Sequence, residues 1–375
     1  MQKIPVNEPA ISKNALKYVT SCIKTGWISS AGNYLKDFEE KYAKFLGVKH
    51  AITTTNGTTA LHLALLALGI KKGDEVILPS HTMMSSAAAI VYTGATPVLV
   101  DVESDTWNMD VSQIEKKINK RTKVIMPVHI YGHPVDMNFV IDLAKKYQLY
   151  IVEDAAESIG AKYKGKLTGT LGDIGCFSFY ANKIITTGEG GMIVTSNDKI
   201  AKHARLLKDM AHSPQKRFLH KEIGFNFRMT NIQAALGVAQ LEEVNKYIQK
   251  KRWMADLYNK KLSKIKGLTL PTERGWAKNV YWMYGIMVEK EFGITRDEFM
   301  QRLYQKEIDT RTFFIPLHRQ PALKRLGLFK GEKYPVSDEI SRKGLYLPSG
   351  LAITEKQIKT VCITIENIKK EIERV

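Results

Sequence analysis

The sequence predicts an α/β protein: a mostly parallel, seven-stranded sheet sandwiched by helices, followed by a smaller C-terminal α+β domain. Three observations carry this. Between His50 and Asp154, strand-like and helix-like segments alternate, the signature of βαβ units. The strand-like segments EVILP, TPVLVDV and KVIMPVHI are continuous apolar runs, as strands covered on both faces must be. Beyond about Lys266 the pattern changes to short strands mixed with amphipathic helices.

An N-terminal arm covers residues 1–12, a large α/β domain 13–250 and a small domain 251–375. Residues 13–24 have the spacing of a short helix. The loop GWISSAG over 26–32 sets small residues beside one large aromatic, which suits closure over a ligand or a simple corner. Residues 33–45 are again helical. Strands are expected at 50–55, 74–79, 96–102, 123–130 and 149–154, with helices at 58–69, 83–93, 110–118 and 136–147 between them. The run CFSFYANKIITTGEGGM, Cys176 to Met192, reads as a hairpin that adds two strands. A helix near 198–208 and a polar segment carrying Pro214 come next. Ile232, Leu236, Leu241, Val244 and Ile248 then recur at helical spacing along one long helix suited to bridging domains. In the last part, strands at 280–288 and 310–314 alternate with helices at 295–306, 337–342 and 355–374.

The chain has 375 residues and a formal charge of +18, from 56 Lys and Arg against 38 Asp and Glu. The lysines are dispersed in pairs with acids between them, and there is no basic arm or zinc-finger spacing, so a general basic bias is expected rather than a nucleic-acid footprint. An anionic substrate gains from it. The three cysteines lie far apart and form no disulfide framework or metal motif. With no apolar signal core at its start, the chain is expected to be cytoplasmic. The nine histidines lack HxH or HxxE spacing, so no metal site is expected.

In an open parallel sheet, ligands bind beyond the carboxyl ends of the strands. Those positions hold Thr55-Asn56-Gly57-Thr58-Thr59, Pro79-Ser80-His81-Thr82, His129-Ile130-Tyr131-Gly132 and Glu153-Asp154-Ala155-Ala156-Glu157. A glycine and hydroxyl residues opening a helix offer free amides and the positive end of the helix dipole to a phosphate. Neither GxGxxG nor a Walker lysine is present, which disfavours nicotinamide and nucleoside-triphosphate folds. Lys183 lies among Phe177, Phe179, Tyr180 and Ile184, an apolar setting that favours a neutral, nucleophilic amine. The same stretch also fits a lysine that snorkels its charge out of a hairpin. Asp154 ends a buried strand and needs a cationic partner: Lys183 itself, or a protonated pyridine nitrogen. The second choice uses a phosphate cradle, a ring-nitrogen carboxylate, a small Ala156 beside a flat ring and an amine for an aldehyde, the four handles of pyridoxal 5′-phosphate.

NGTTALHLAL, EDAAES, NKIITTGEGG, GFNFRMTNIQAALG and PLHRQP, in this order over nearly the whole chain, resemble the DegT/DnrJ/EryC1/StrS sugar-nucleotide aminotransferases, fold type I pyridoxal phosphate enzymes. The resemblance makes Lys183 the Schiff-base lysine and Asp154 the partner of the pyridine nitrogen. It puts Gly57, Thr58 and Ser178 at the phosphate, Ala156 beside the ring and Glu157 near the pyridoxal O3′, where many relatives carry Gln. Asn226 would reach in from a second subunit, which implies a homodimer with shared sites. Met83 stands where several relatives place an aromatic over the ring; it packs there through its sulfur or sits in the core, leaving His81 as a possible cover. For the sugar nucleotide the candidates are Trp27, Ser29, His81, Tyr180, Arg228, Phe314 and His318; Arg228 fits an interface ion pair equally well, and His318 a structural role. The implied reaction is ping-pong transfer of an amino group from L-glutamate to a 4-keto-6-deoxy sugar nucleotide, with GDP-4-keto-6-deoxymannose favoured over UDP- or dTDP-sugars. Three rivals are weaker. A dehydratase of the family carries His in place of the lysine, a nucleic-acid-binding regulator lacks a recognition helix, and a nicotinamide-dependent oxidoreductase lacks its glycine fingerprint.

Overall fold

The computed structural model describes residues 3–374 except Pro214 and Arg217; Pro214, in the polar segment noted above, lies outside the described residues. The central sheet has seven strands: β1 (His50–Thr54), β2 (Glu75–Pro79), β3 (Thr96–Val100), β4 (Thr122–Ile125), β5 (Tyr150–Asp154), β6 (Ile174–Ser178) and β7 (Gly191–Thr195). They run in the spatial order β1-β7-β6-β5-β4-β2-β3. All pairings from β3 through β6 are parallel, whereas β7 is antiparallel to both its neighbours. The reversal follows from the hairpin-like return from β6 to β7, which needs no crossover helix.

Helix Gly57–Ala67 sits against this sheet, buried from Ala60 through Leu65 and at Ala67. A helix that is apolar all round belongs in the interior. Its start is fixed by a capping box in which the Asn56 carboxamide accepts from Thr59 N and the Thr59 hydroxyl from Asn56 N. The chain around β4 departs from the predicted long strand: regular strand ends at Ile125, pairing with β5 continues only as a bridge from Val128 to Asp154, and residues 130–132 form a tight turn with Tyr131 at φ 53°. The helix expected at 110–118 is instead two short 3₁₀ turns, Val111–Gln113 and Glu115–Lys117. The Asp110 carboxylate accepts from Ser112 N, Ser112 Oγ and Gln113 Nε2, and this local bonding competes with an α-helix.

The long predicted helix is two, Asn231–Glu242 and Val244–Leu262, broken at Glu243 (φ −101°, ψ 2°). The first packs on the N-terminal helices Lys13–Thr25 and Asn33–Leu46, the second on the C-terminal helix Glu355–Glu373. That C-terminal part holds a four-stranded antiparallel sheet of β8 (Leu268–Thr269), β9 (Tyr284–Val288), β10 (Arg311–Thr312) and β11 (Gly344–Leu347), in the order β8-β9-β11-β10. Its core includes Met254, Tyr258, Tyr284, Phe299 and Ile365. Residues 280–283, expected to extend the strand at β9, are a turn with Tyr281 at φ 48°. Among the described residues no helix is long and apolar enough to cross a membrane, and no cluster of three or more His, Cys, Asp or Glu side chains has metal-binding geometry. All three cysteines are free and buried.

Candidate active site

A cavity of about 410 Å³ opens at the carboxyl edge of the sheet. Its walls come from the start of helix Gly57–Ala67, the ends of β5 and β6, the β6–β7 loop, and residues Trp282 and Phe314 from the C-terminal part. Ten sequence candidates meet there: Gly57, Thr58, Met83, Asp154, Ala156, Glu157, Ser178, Tyr180, Lys183 and Phe314.

Lys183 lies in the loop joining β6 to β7. The loop is braced internally, with Lys183 N donating to Tyr180 O (2.9 Å) and Thr187 N to Phe179 O (2.9 Å). The lysine side chain is 11 % exposed; Nζ stands 3.7 Å from Glu157 Oε1 and 3.6 Å from the centroid of the Trp282 ring. Burial pulls its pKa below the ordinary lysine value, opposed by the charges of Glu157 and Asp154. Asp154 closes β5, accepting from Ser86 Oγ (2.8 Å) and from Ala156 N (3.2 Å). Burial raises its pKa, and those two donors, with Lys183, pull the other way. Glu157 accepts from Tyr131 N (2.8 Å). Its burial outweighs the pull of Lys183 and lifts its pKa to about 7. The site thus sets an amine whose pKa burial lowers beside two carboxyls whose pKa values it raises.

The opposite wall is a helix start. The first intrahelical bond is Ala60 N to Asn56 O (3.0 Å), so the amides of Gly57 and Thr58 precede the ladder. A Cβ on Gly57 would lie 2.8 Å from Ser178 Cβ, so only glycine lets this start close on β6. Behind Asp154, Glu153 is fully buried. It accepts from His129 Nε2 (2.9 Å) and from the amides of Gly169, Leu171 and Gly172 (2.6–2.7 Å). His129 Nδ1 in turn accepts from Val135 N (3.1 Å), which puts the imidazole proton on Nε2. This network fixes the end of β5 that presents Asp154.

The other candidates lie elsewhere. His81 is fully buried with Nε2 at 2.9 Å from Tyr131 Oη, its ring beside Phe313 and Phe314. Burial lowers its pKa to about 3, so it is a neutral residue that does not line the cavity. Met83 does line the cavity and is half exposed, so it is no core residue. The 26–32 loop packs on a helix start: Asn231 Nδ2 donates to Trp27 O (2.7 Å) and Asn231 N to Ser29 O (2.6 Å). Neither Trp27 nor Ser29 reaches the cavity, and the Trp27 ring is exposed. Arg228 pairs with Asp209 (2.6 Å) and faces a separate cavity of about 580 Å³. Asn226 forms a bridge to Asp209, off the Lys183 cavity of its own chain. His318 bonds Asp338 (3.0 Å) and faces a third groove with Arg319, Lys324 and Lys330.

Ser86, Asn182 and Trp282 also meet at the site and are not among the sequence candidates. Trp282 had a signal, an aromatic in NVYWMYG, but nothing local ties that stretch to Lys183, a hundred positions earlier. Asn182 directly precedes Lys183 in NKIITTGEGG; Ser86 had no signal.

The fold defines the class. Its solved neighbours include Helicobacter pylori PseC, an aminotransferase involved in the biosynthesis of pseudoaminic acid, with a TM-score of 0.92 and 26 % identity over 99 % of this chain and all of that one. The chain belongs to the DegT/DnrJ/EryC1/StrS aminotransferase family, whose pattern matches residues 9–366. It is 44 % identical to the GDP-perosamine synthase of Escherichia coli O157:H7, over 97 % of this chain and 98 % of that one. It is 42 % identical to the GDP-perosamine synthase of Vibrio cholerae over the same shares. Membership makes the protein an aminotransferase and implies pyridoxal phosphate as its cofactor.

Proposed function

We propose that the cavity holds pyridoxal 5′-phosphate and that the protein transfers the amino group of L-glutamate to C4 of GDP-4-keto-6-deoxymannose, giving GDP-perosamine. One observation carries the site reading: a nearly buried lysine amine, its pKa lowered, flanked by the carboxyls of Asp154 and Glu157. The relatives named GDP-perosamine synthase support the substrate.

The donor set fits the cofactor. The amides of Gly57 and Thr58 with the Ser178 hydroxyl suit its phosphate, Asp154 suits a protonated ring nitrogen, Ala156 leaves room for a flat ring, and Lys183 is an amine for its aldehyde. Pyridoxal phosphate, when bound, supplies an aldehyde that carries the amino group and a ring that takes up the electron pair of a broken C–H bond. In the first half, Lys183 Nζ takes the proton from the α-carbon of glutamate; in the second, it delivers a proton to C4 of the sugar. Burial lowers the pKa of this amine, which favours the neutral form that accepts a proton. Asp154, whose ionised form is favoured by the hydrogen bonds from Ser86 Oγ and Ala156 N, would keep a proton on the ring nitrogen. Glu157, whose pKa of about 7 leaves part of it protonated at neutral pH, would donate a hydrogen bond to the oxygen beside the aldehyde. Met83, Tyr180 and Phe314 wall the cavity toward the sugar nucleotide, and Phe314 screens His81 from it. Arg228 and His318 would reach the substrate only outside this cavity.

The active unit is a homodimer in the cytoplasm, Asn226 serving the partner's site. An exposed apolar face on the first helix and the loop after it, Leu16, Ile23, Trp27 and Ile28, supports a partner subunit. The substrate test supplies L-glutamate with separate GDP-, UDP- and dTDP-4-keto-6-deoxyhexoses and measures 2-oxoglutarate release. Turnover is expected with the GDP-sugar; faster release with a UDP- or dTDP-sugar contradicts the substrate assignment.

A further inference from the structure

Two groups that the proposed chemistry leaves unused meet behind the cavity. Lys251, on helix Val244–Leu262, is 1 % exposed, and no carboxylate offsets its burial. Burial lowers its pKa to about 7, and its Nζ donates to Trp282 O (2.8 Å) and to Ser349 O. A buried charge with no counterion is costly unless fully hydrogen-bonded, so these carbonyls are what Lys251 holds.

The segment it holds is strained. Tyr281 has φ 48°, a left-handed conformation that a bulky residue keeps only where its surroundings over-determine it. Here they do. Tyr281 N donates to Asn279 Oδ1 (2.8 Å). Val280 N and Trp282 N donate to Gly132 O (3.2 Å) and Tyr131 O (2.9 Å). A Cβ on Gly132 would lie 2.9 Å from Tyr281 N, so that glycine admits the turn. Trp282 Nε1 then donates to Asn182 O (2.8 Å), next to the lysine, and the indole face lies 3.6 Å from Lys183 Nζ. The other titratable groups around that amine are Asp154, Glu157, Tyr180 and Glu189.

We propose that Trp282 and Lys251 are positioning residues for Lys183: the indole face fixes where the amine stands, and Lys251 fixes the indole by clamping its carbonyl. This rests on the reading of Lys183 as the reacting amine. An aromatic face favours an adjacent ammonium, so it offsets part of the burial that drives Lys183 toward the neutral form. The device sets both the place of the amine and its readiness to take a proton.

The test uses the full-length protein stripped of cofactor. The pH midpoint of the Lys183 amine is read from its acylation rate with a small activated ester, quantified by peptide mass spectrometry. Trp282→Leu, which keeps the site dry but removes the π face, should lower the midpoint by roughly half to one pH unit; Trp282→Phe should restore most of it. Lys251→Met keeps the stem without the ammonium and should shift the midpoint the same way. The double variant should go no further than Trp282→Leu alone, as for residues acting through one contact. An unchanged midpoint in Trp282→Leu, or additive shifts in the double variant, overturns the proposal, and the Trp282 variants decide it alone if Lys251→Met does not fold. Failure of the underlying reading looks different: Lys183→Ala protein that still forms a borohydride-fixed adduct with pyridoxal phosphate removes Lys183 from the chemistry whatever the Trp282 variants do.

Discussion

Lys183, Asp154 and Glu157 are three titratable groups in one cavity, where burial lowers the pKa of the amine and raises those of the two carboxyls. Asp154→Ala should retain some cofactor through the helix-start amides yet lose turnover by at least ~10²; steady-state kinetics at saturating cofactor check this, and near-normal turnover removes the electron-sink role. Glu157 makes a pH prediction. Its folded pKa, about 7, lies above the ordinary glutamate value of about 4.3, so between the two the folded state binds more protons than the unfolded one. Stability from this group is therefore complete below the lower value and lost as pH rises through about 7. Glu157→Gln should flatten the fall in melting temperature of the cofactor-free protein between pH 5 and 8; an equal fall in both proteins contradicts it. The sequence alone pointed to Lys183 and Asp154, because a lysine among aromatics and a carboxylate ending an apolar strand are local signals. It did not point to Trp282, whose contact with Lys183 is created by tertiary packing and by a strained turn hidden within an apparent strand.

At the scale of elements, the site depends on a helix start and a strand end meeting without spare volume. Gly57→Ala places a Cβ 2.8 Å from Ser178 Cβ. Overpacking of this kind costs about 1–3 kcal/mol, and the displaced helix start should weaken cofactor binding at least ~10-fold by fluorescence titration; unchanged affinity means that this wall does not hold the phosphate. Glu153→Ala leaves His129 Nε2 and three amides without their acceptor. A loss of about 3–5 kcal/mol is expected in denaturant unfolding, with cofactor binding impaired because the end of β5 loosens. The strand–helix alternation was legible because it follows from apolar periodicity. What was not legible were the interruptions: an Asx-type bonding network at Asp110, a break at Glu243, and the turn before β9, each decided by contacts a periodicity does not contain.

For the whole molecule, the central sheet and the C-terminal part meet at the cavity, which takes Trp282 and Phe314 from the latter. The family and the order of its motifs were legible from end to end. The proposed sharing of the site between subunits is not legible in one chain's geometry, where Asn226 and Arg228 both engage Asp209, away from the cavity. A shared site makes a definite prediction. Lys183→Ala and Asn226→Asp proteins, each inactive alone, should recover part of the activity when their subunits are mixed and exchanged, and no recovery contradicts the sharing. The dispersed +18 charge suits an anionic sugar nucleotide, so KM for the GDP-sugar should rise with salt more than KM for glutamate. Whether the Lys183 amine carries the chemistry is read by reducing the cofactor-loaded protein with borohydride and mapping the adduct by peptide mass spectrometry. A pyridoxyl mass on Lys183 is expected; an adduct on another lysine, or none, would overturn the assignment.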